Sequence, residues 1–394
     1  MVAVTVPFMK MLRTAFLAAA MAAFVLASPA NGQTGFQTLY TFSGGVPTGL
    51  THANGALYGT FDPSPCGVVF ELQPPATSGG EWTETTLYTF AATGDGCNPD
   101  GPPLPGPNGQ LYGLTGEGGA YGFGTLYELQ PPTSPSGSWT ESVLYSFDIS
   151  PWGGYLVAGP GGSFYVLTAG GGAYGWGSLL QLQPTASGGP WTGTQLFSFP
   201  QGAQPSSLAV GSNGMLYGTA FYYGLPGLVF RLTPPTASGG AWTETVLYNL
   251  TIAEGSFANS LIVASNGTLY GTTYGDSAYG SGPGTVFQLT PPGSAGGSWS
   301  YTMLKNFGGN HPNLPLILRD GRLFGTIATA QGGAVFELTP STPGSPWNVT
   351  FPHNFTNTQV PDALLISEKG VIYGTTETFY PQPPTGTVFQ IAPE

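Results

Sequence analysis

A pattern of apolar and polar positions recurs along nearly the whole chain. In each copy an apolar run precedes a short Gly-containing turn, and a second apolar segment follows, as in Asn54-Gly-Ala-Leu-Tyr-Gly-Thr60. Aligned on the apolar–aromatic pair of that segment, seven copies lie 49 to 54 residues apart, at Leu57-Tyr58, Leu111-Tyr112, Phe164-Tyr165, Leu216-Tyr217, Leu269-Tyr270, Leu323-Phe324 and Ile372-Tyr373. A period of this length indicates a repeat architecture.

Each copy reads as four short β-strands. The first two are separated by Asn-Gly, Asp-Gly or a related pair, which predicts a two-residue type I′ hairpin because both turn residues need positive φ. The third is typified by Val68-Val-Phe-Glu-Leu72, and the fourth begins at a Trp such as Trp82 and ends on an aromatic pair. β-branched and aromatic residues dominate these segments, and Gly and Pro separate them, as strands require.

The two ends of the chain predict a closed ring. Trp-led fourth strands follow the first six units, whereas the seventh unit ends at Glu394 without one. The N-terminal stretch Phe36-Gln-Thr-Leu-Tyr-Thr-Phe42 has the same ending as the fourth strand of the first unit. An open solenoid has no reason to divide a unit between its termini, but a propeller does. We therefore predict one all-β domain over residues 33–394, a seven-bladed β-propeller of four-stranded antiparallel blades, closed by the N-terminal strand.

Residues 1–32 have the features of a secretory signal peptide. Lys10 and Arg13 precede an apolar run over residues 14–27, and small residues follow up to Gly32. The run is shorter than the roughly 20 residues of a membrane span. The sequence therefore predicts cleavage after Ala30 or Gly32, no membrane span after cleavage, and a secreted, periplasmic or cell-surface protein.

The charge balance excludes some partners. After residue 32, five basic residues stand against 19 acidic ones. Nucleic-acid affinity depends on Lys and Arg that neutralise phosphates, so we expect no nucleic-acid partner. The same imbalance disfavours anionic membrane surfaces. No metal-ligand spacing occurs, and we expect neither a metal nor a cofactor.

The two cysteines test the propeller prediction. Cys66 falls in the loop between the second and third strands of blade 1, and Cys97 falls in the loop that leads to blade 2. In a four-stranded blade both kinds of loop emerge on the same face, so a Cys66–Cys97 disulfide is geometrically plausible and suits an exported protein. Two free thiols are the alternative.

The repeat resembles a known family. The pattern Asn-Gly-x-Leu-Tyr-Gly-Thr, then Gly-Thr-Val-Phe-x-Leu-Thr-Pro-Pro, then Gly-Gly-x-Trp-Thr-Glu-Thr-Val-Leu-Tyr is similar to the GloVer tandem repeat of exported bacterial proteins. Residues 266–292 and 239–248 carry it most fully. Members of that family often carry a C-terminal surface anchor, which we do not expect here because no apolar tail ends this sequence. The resemblance implies no reaction and no functional residues.

Candidate site residues come from the loops between second and third strands, which differ most among units. All should ring one face of the propeller, and they are rich in aromatics: Tyr121, Phe123, Tyr174, Trp176, Tyr222, Tyr223, Tyr274, Tyr279 and Tyr380. The same face should collect His311 and the carboxylates Asp62, Asp95, Asp100, Glu117, Glu254, Asp276, Asp362 and Glu377. Aromatic rings stack on sugar C–H faces, and carboxylates accept hydroxyl protons. The alternative is that these rings only cover the blade ends.

Two functions follow as hypotheses. The first is a secreted, non-catalytic binding or scaffold propeller whose aromatic, acidic face engages a polysaccharide or a cell-surface protein. The second is a carbohydrate-active hydrolase or lyase, which needs two carboxylates within about 5–10 Å of each other. His311 could act as a general base if a carboxylate orients it, although an isolated loop histidine is more often only solvated.

Overall fold

In the computed structural model, the described residues form 28 β-strands in seven four-stranded antiparallel sheets arranged as a ring. The structure describes residues 35–393 apart from short gaps at 63–65, 78, 92–93, 135, 150, 152–154, 169, 187–188, 223–225, 238–239, 276–281, 295, 330–331, 343–346, 357–358 and 379–383. The all-β, seven-bladed prediction is confirmed. The predicted signal peptide lies outside the described residues and stays a prediction.

The strands follow one another in blade order. Blade 1 consists of β2 (Pro47–Ala53), β3 (Ala56–Phe61), β4 (Val68–Gln73) and β5 (Thr83–Thr89). Blade 2 consists of β6 (Cys97–Pro105), β7 (Leu111–Glu117), β8 (Thr125–Gln130) and β9 (Thr140–Ser146). Blade 3 consists of β10 (Tyr155–Ala158), β11 (Phe164–Thr168), β12 (Ser178–Gln183) and β13 (Thr192–Ser198). Blade 4 consists of β14 (Ala203–Val210), β15 (Leu216–Tyr222), β16 (Leu228–Thr233) and β17 (Thr243–Asn249). Blade 5 consists of β18 (Ala258–Val263), β19 (Leu269–Thr273), β20 (Thr285–Thr290) and β21 (Ser300–Asn306).

Blade 6 consists of β22 (His311–Arg319), β23 (Arg322–Thr329), β24 (Gly332–Thr339) and β25 (Asn348–Phe355). Blade 7 consists of β26 (Gln359–Ile366), β27 (Ile372–Thr378) and β28 (Thr385–Ile391), completed by β1 (Phe36–Ser43). The described helical segments are two short 3₁₀ turns, Pro160–Gly162 and Ile252–Glu254. None of the helices in the described part of the chain has the length and apolar character to cross a bilayer.

The ring is closed by β1, as predicted. β1 pairs antiparallel with β28 from Phe36 opposite Ile391 to Ser43 opposite Thr385. The first strands of neighbouring blades contact one another, for example β2 with β6 and β22 with β26. The first strand of each blade therefore lies nearest the axis, and the fourth strand, or β1 in blade 7, lies at the rim.

The repeated segment around Leu57 serves four structural purposes. Leu57 is fully buried, and the Tyr58 hydroxyl donates to Glu71 on the neighbouring strand, at 2.8 Å. Gly59 leaves room for the Phe70 ring, whose Cζ would be 2.5 Å from a Cβ at that position. The Thr60 hydroxyl donates to the Gly101 carbonyl of blade 2 at 3.0 Å. The repeat therefore encodes blade core and blade-to-blade contact.

Blade 3 lacks the glycine that the other blades have at the position of Gly59, and its core shows why that glycine is needed elsewhere. Val166 takes the place of Gly59, and Leu180 takes the place of Phe70 in the equivalent register. The larger residue on one strand is offset by the smaller one on its neighbour, which keeps the core volume nearly constant.

The type I′ prediction is correct for some hairpins and wrong for others. Asn54 and Gly55 both have positive φ, and so do Asp320 and Gly321. In blades 2, 4, 5 and 7 only the glycine does, and it donates to the carbonyl three residues earlier, as Gly109 does to Gly106. These are longer loops in which a turn with negative φ at its central residues precedes a left-handed glycine, a common alternative hairpin connection.

The Trp that directly precedes most outer strands packs between blades. Trp191 of blade 3 lies against Tyr112 of blade 2, with ring centroids 6.5 Å apart, and Trp82 of blade 1 lies against Tyr373 of blade 7 at 6.2 Å. The conspicuous Trp and Tyr of the repeat therefore hold neighbouring blades together.

The disulfide prediction is confirmed. The sulfurs of Cys66 and Cys97 are 2.16 Å apart and their Cα atoms 4.5 Å apart. The bridge ties the loop after β3 to the first residue of β6, across a sequence separation of 31 residues. Cross-links of this kind persist in oxidising compartments and are rare in the cytosol.

Candidate functional site

Two loops on neighbouring blades are built in the same way. We call residues 118–124 of blade 2 and residues 171–177 of blade 3 the sister loops. Gly124 donates to the Gly118 carbonyl at 2.9 Å, and Gly177 donates to the Gly171 carbonyl at 3.1 Å. Four glycines in each loop have positive φ, at matching positions with values that agree within 17°. Such φ values favour glycine and specify the backbone path of each loop.

A serine of the outer strand anchors each sister loop. The Ser146 hydroxyl accepts a hydrogen bond from the backbone N–H of Ala120 at 3.2 Å, and Ser198 does the same for Ala173 at 3.1 Å. Each serine is the last residue of its strand, β9 or β13. The loops are therefore held at their base, and the tyrosine that follows each Ala stands at a defined position.

The sister loops present their aromatic side chains to solvent. The exposed fraction is 64% for Tyr121 and 62% for Tyr174, and Phe123 is 45% exposed. Ile149, in the connection between blades 2 and 3, is 40% exposed and packs over Gly171. These four residues define the aromatic patch. Among the side chains that the structure describes, the other Phe, Trp and Tyr residues are half-buried or buried.

Other predicted aromatic residues lie elsewhere. Trp176 is half-buried at the base of its loop, and Glu117 is exposed at the end of β7. Tyr222 ends β15. Tyr223, Asp276, Tyr279 and Tyr380 lie outside the described residues. The structure therefore places Tyr121, Phe123 and Tyr174 exposed on equivalent loops of neighbouring blades, and Glu117 directly precedes the first of these loops.

His311 and Tyr274 form a stacked pair. Their ring centroids are 4.5 Å apart with an interplanar angle of 15°, and His311 Nδ1 lies 2.7 Å from the Tyr274 carbonyl oxygen. Because a carbonyl only accepts, Nδ1 carries the proton in this arrangement. A backbone carbonyl therefore orients His311, and the Tyr274 ring is covered by the imidazole.

Two of the predicted face carboxylates anchor loops. Asp95 accepts hydrogen bonds from the Tyr88 hydroxyl at 2.9 Å and from the Ala91 N–H at 3.0 Å. Glu254 accepts from the Tyr248 hydroxyl at 2.7 Å and from the Thr251 N–H at 2.8 Å. Burial, supported by the bond to Glu254, raises the pKa of Tyr248 to about 12. These acids hold the connections between blades 1 and 2 and between blades 4 and 5.

A buried polar cluster lies near the first of these connections. Asp95 Oδ1, Glu141 Oε1 and the Tyr127 hydroxyl are buried, and the described structure supplies no hydrogen-bond partner for them. Burial first, and then the charge of Asp95, raises the pKa of Glu141 to about 7. Burial likewise raises the pKa of Tyr127. Tyr127 belongs to β8 and Glu141 to the outer strand β9, so this cluster joins blade 2 to the connection that precedes it.

A polar layer surrounds the axis at the start of the innermost strands. It consists of Thr48, Asp100, Ser206, Asn259, Asn313 and Asp362. Ser206 donates to the Ala258 carbonyl at 2.6 Å, Asn259 to Pro312 at 3.2 Å, and Asn313 to Pro361 at 3.0 Å. Each of these bonds runs to the next blade. The Tyr155 hydroxyl donates to the Asn259 carbonyl, which joins blade 3 to blade 5.

Sequence reasoning missed most of this layer, although a signal was present. In five of these six blades the residue in question directly follows a proline at the start of the first strand: Pro47, Pro99, Pro205, Pro312 and Pro361. A register shift, typical of a β-bulge, begins at or next to this residue in each case. Bulges redirect side chains, so a polar residue after this proline was the available indication.

The opposite face contains a cavity of about 760 Å³ near the hairpins of blades 1, 2 and 7. Its wall includes His52, Asn54, Pro107, Ser367 and Glu368. Within the residues that the structure describes, no group of three or more His, Cys, Asp or Glu side chains could hold a metal ion.

Fold and site together define a seven-bladed β-propeller with an exposed aromatic patch on two neighbouring blades. A model of the Gloeobacter/Verrucomicrobia repeat matches residues 152–389, which is more than half of the sequence. The chain therefore belongs to this repeat family. No curated protein matches it in sequence.

Solved structures share the architecture at low identity. Virginiamycin B lyase from Staphylococcus aureus is 14% identical with a TM-score of 0.57, and the match covers 90% of this chain and 99% of that one. A puromycin-hydrolysing peptidase from Mycobacterium tuberculosis is 14% identical with a TM-score of 0.57, covering 84% of this chain and 49% of the peptidase. An ulvan lyase bound to a saccharide is 11% identical with a TM-score of 0.53, covering 84% and 91%. These similarities establish the shared fold.

Proposed function

We propose that this protein is an exported carbohydrate-binding propeller that holds a polysaccharide on the aromatic patch of blades 2 and 3. The observation that carries the proposal is the exposure of Tyr121 and Tyr174 on two rigid loops of the same construction. An exposed aromatic cluster on a soluble protein usually marks an interaction site. Flat rings with polar hydroxyls suit a ligand that has both C–H faces and hydroxyl groups.

The loop design supports recognition rather than core packing. Tyrosine gives a large contact area at a small cost in side-chain entropy, and glycine-rich loops supply backbone hydrogen-bonding groups. The serine anchors of both loops reduce the ordering that a ligand must induce, which improves affinity. The Cys66–Cys97 disulfide supports a location outside the cytosol, where a polysaccharide ligand would be met.

Affinity electrophoresis tests the proposal. The mature protein should migrate more slowly in gels that contain a neutral polysaccharide such as xylan, glucomannan or β-glucan. A double variant, Tyr121→Ala with Tyr174→Ala, should lose the retardation. Val210→Ala is the matched control, because Val210 is also exposed but ends β14 beside a hairpin turn on the opposite face. Equal migration of wild type and double variant in every retarding gel would overturn the proposal.

A carbohydrate-active enzyme is the second candidate, and the polar layer favours it. Asp100 of blade 2 and Asp362 of blade 7 are its two carboxylates, and they flank blade 1 at the axis. The ulvan lyase structure shows that a propeller of this architecture can hold a saccharide. Release of new reducing ends from the retarding polysaccharide, abolished in Asp100→Asn and Asp362→Asn variants, would establish it. Polysaccharide binding without release of reducing ends would exclude the enzyme.

A further inference from the structure

We infer that the sister loops form the two halves of one site for a linear, uncharged polysaccharide, which runs across blades 2 and 3. The inference rests on the proposed function and specifies the ligand of that same surface. It is carried by the equivalence of the two loops, by the connection that contacts both of them and by the charge of this half of the ring.

The equivalence of the loops points to a repeating ligand. The backbone path, the serine anchor and the exposed tyrosine recur at the same positions one blade apart, and the two exposed fractions are 64% and 62%. A surface that offers the same contact twice is matched by a ligand that offers the same chemical group twice. A polymer of sugar units does so, whereas a single small molecule fits only one loop.

The connection that contains Ile149 contacts both sister loops. Ile149 lies in the connection from blade 2 to blade 3, and its side chain is the nearest neighbour of Gly171 at the start of the second loop. It also remains 40% exposed. The same connection binds the first loop, because the Phe147 N–H donates to the Gly124 carbonyl at 3.0 Å. A polymer that contacts both loops makes its second contact intramolecularly once the first has formed.

Charge decides which polymers fit. From residue 33 to residue 230 the chain contains ten acidic residues and no Lys or Arg. The first basic residue of the propeller, Arg231, lies in β16 of blade 4. Glu117 is exposed beside the first sister loop. A uronate or sulfated polymer would meet like charges without a basic partner, which is unfavourable at close range. The ligand is therefore a neutral polysaccharide.

Calorimetric titration with oligosaccharides of increasing length tests the inference. The series runs from disaccharide to octasaccharide, prepared from the neutral polysaccharide that retards the protein. For the wild type, affinity should rise by about tenfold or more once the oligosaccharide can reach both loops, because the second contact profits from a high effective concentration. Tyr121→Ala and Tyr174→Ala should each remove that rise, while Val210→Ala should keep it.

The outcomes separate this inference from the proposed function. Binding without length dependence, or a rise that survives both single variants, would overturn the two-loop site and leave carbohydrate binding intact. Binding of polygalacturonate or a sulfated galactan as tight as that of the neutral polymer would overturn the assignment of an uncharged ligand. Absence of binding to every glycan would instead reject the proposed function itself.

Discussion

Two sets of aromatic side chains differ in their surroundings, although both lie in segments of the repeat. Tyr121 and Tyr174 project from the sister loops into solvent. Tyr274, in the corresponding loop of blade 5, is half-buried under the His311 ring. At the rim, Phe36 and His353 also stack on each other, with centroids 3.6 Å apart. We call Tyr274, His311, Phe36 and His353 the internal rings.

The difference teaches that an aromatic residue in a variable loop is not by itself a site. The internal rings find partners within the protein, so they contribute to stability. The exposed rings have a rigid backbone beneath them and solvent above, so their contribution is available to a ligand. Substitutions at the two sets should therefore affect different properties, which makes the comparison testable.

The largest effect is expected at the rim. Phe36→Ala should reduce the free energy of unfolding by about 2–3 kcal/mol, because the ring contacts His353, Phe355 and Phe389 and a large-to-small change leaves a cavity. Glycan affinity should not change. Urea unfolding gives the first quantity and affinity electrophoresis the second. Thr41→Ala, an exposed position on the same strand, is the control and should stay within about 0.5 kcal/mol of wild type. A loss of binding in Phe36→Ala would break the distinction.

Acid should weaken the same contact. Burial lowers the pKa of His353 to about 4 from its ordinary value of 6.5. Because the unfolded chain takes up this proton first, the stability that His353 provides is fully present above pH 6.5 and is lost as the pH falls from 6.5 to 4. The loss should reach about 3 kcal/mol by pH 4. His353→Phe keeps a ring against Phe36 without the titrating group, so its stability should fall less over that range. Parallel curves for the two proteins would contradict this assignment.

Tyr274→Ala should have a smaller effect, about 1 kcal/mol on unfolding, because it removes one ring stack while the backbone carbonyl that binds His311 stays in place. Its affinity for the polysaccharide should equal that of wild type. Tyr174→Ala is the matched tyrosine of an exposed loop and should show the reverse, with lower affinity and unchanged unfolding. The comparison fails if Tyr274→Ala weakens binding as much as Tyr174→Ala does.

The smallest effect concerns loop rigidity. Ser146→Ala removes the acceptor for the Ala120 N–H and should cost about 0.5–1 kcal/mol of stability. Affinity should fall only a few-fold, because Tyr121 remains but its loop must be ordered by the ligand. Ser142, exposed on the same strand, provides the control variant Ser142→Ala. Full affinity in Ser146→Ala, measured by the same titration, would show that the anchor does not preorganise the site.

The architecture could be predicted from the sequence because the same four-strand pattern occurs seven times. Period, strand content, the closing strand and the disulfide all follow from spacing, and each is confirmed. The hairpin type was predicted less well, since Asn-Gly permits both the two-residue turn of Asn54-Gly55 and the longer loop ending at Gly109. The Asn-Gly pair alone does not distinguish the two connections.

The site was only partly predictable for a related reason. Composition placed aromatics and carboxylates on one face, but it could not show which side chains find partners there. Tyr88 lies seven residues before Asp95 and Tyr248 six residues before Glu254, and only the folded loops bring each pair within hydrogen-bond distance. Glu141 occupies the Glu position of the repeated Trp-Thr-Glu segment, as Glu84 and Glu244 do, and only the folded structure shows that its Oε1 is buried without a hydrogen-bond partner among the described residues.

Hydrogen exchange in the presence and absence of the retarding polysaccharide tests the central claim most directly. The account predicts slower exchange of backbone amides in residues 118–124 and 171–177 when the polysaccharide is bound. It predicts no change in residues 251–258 and 306–311, or in the turn at Asn54-Gly55 that borders the cavity on the opposite face. Protection at those other segments with none in the sister loops would contradict it.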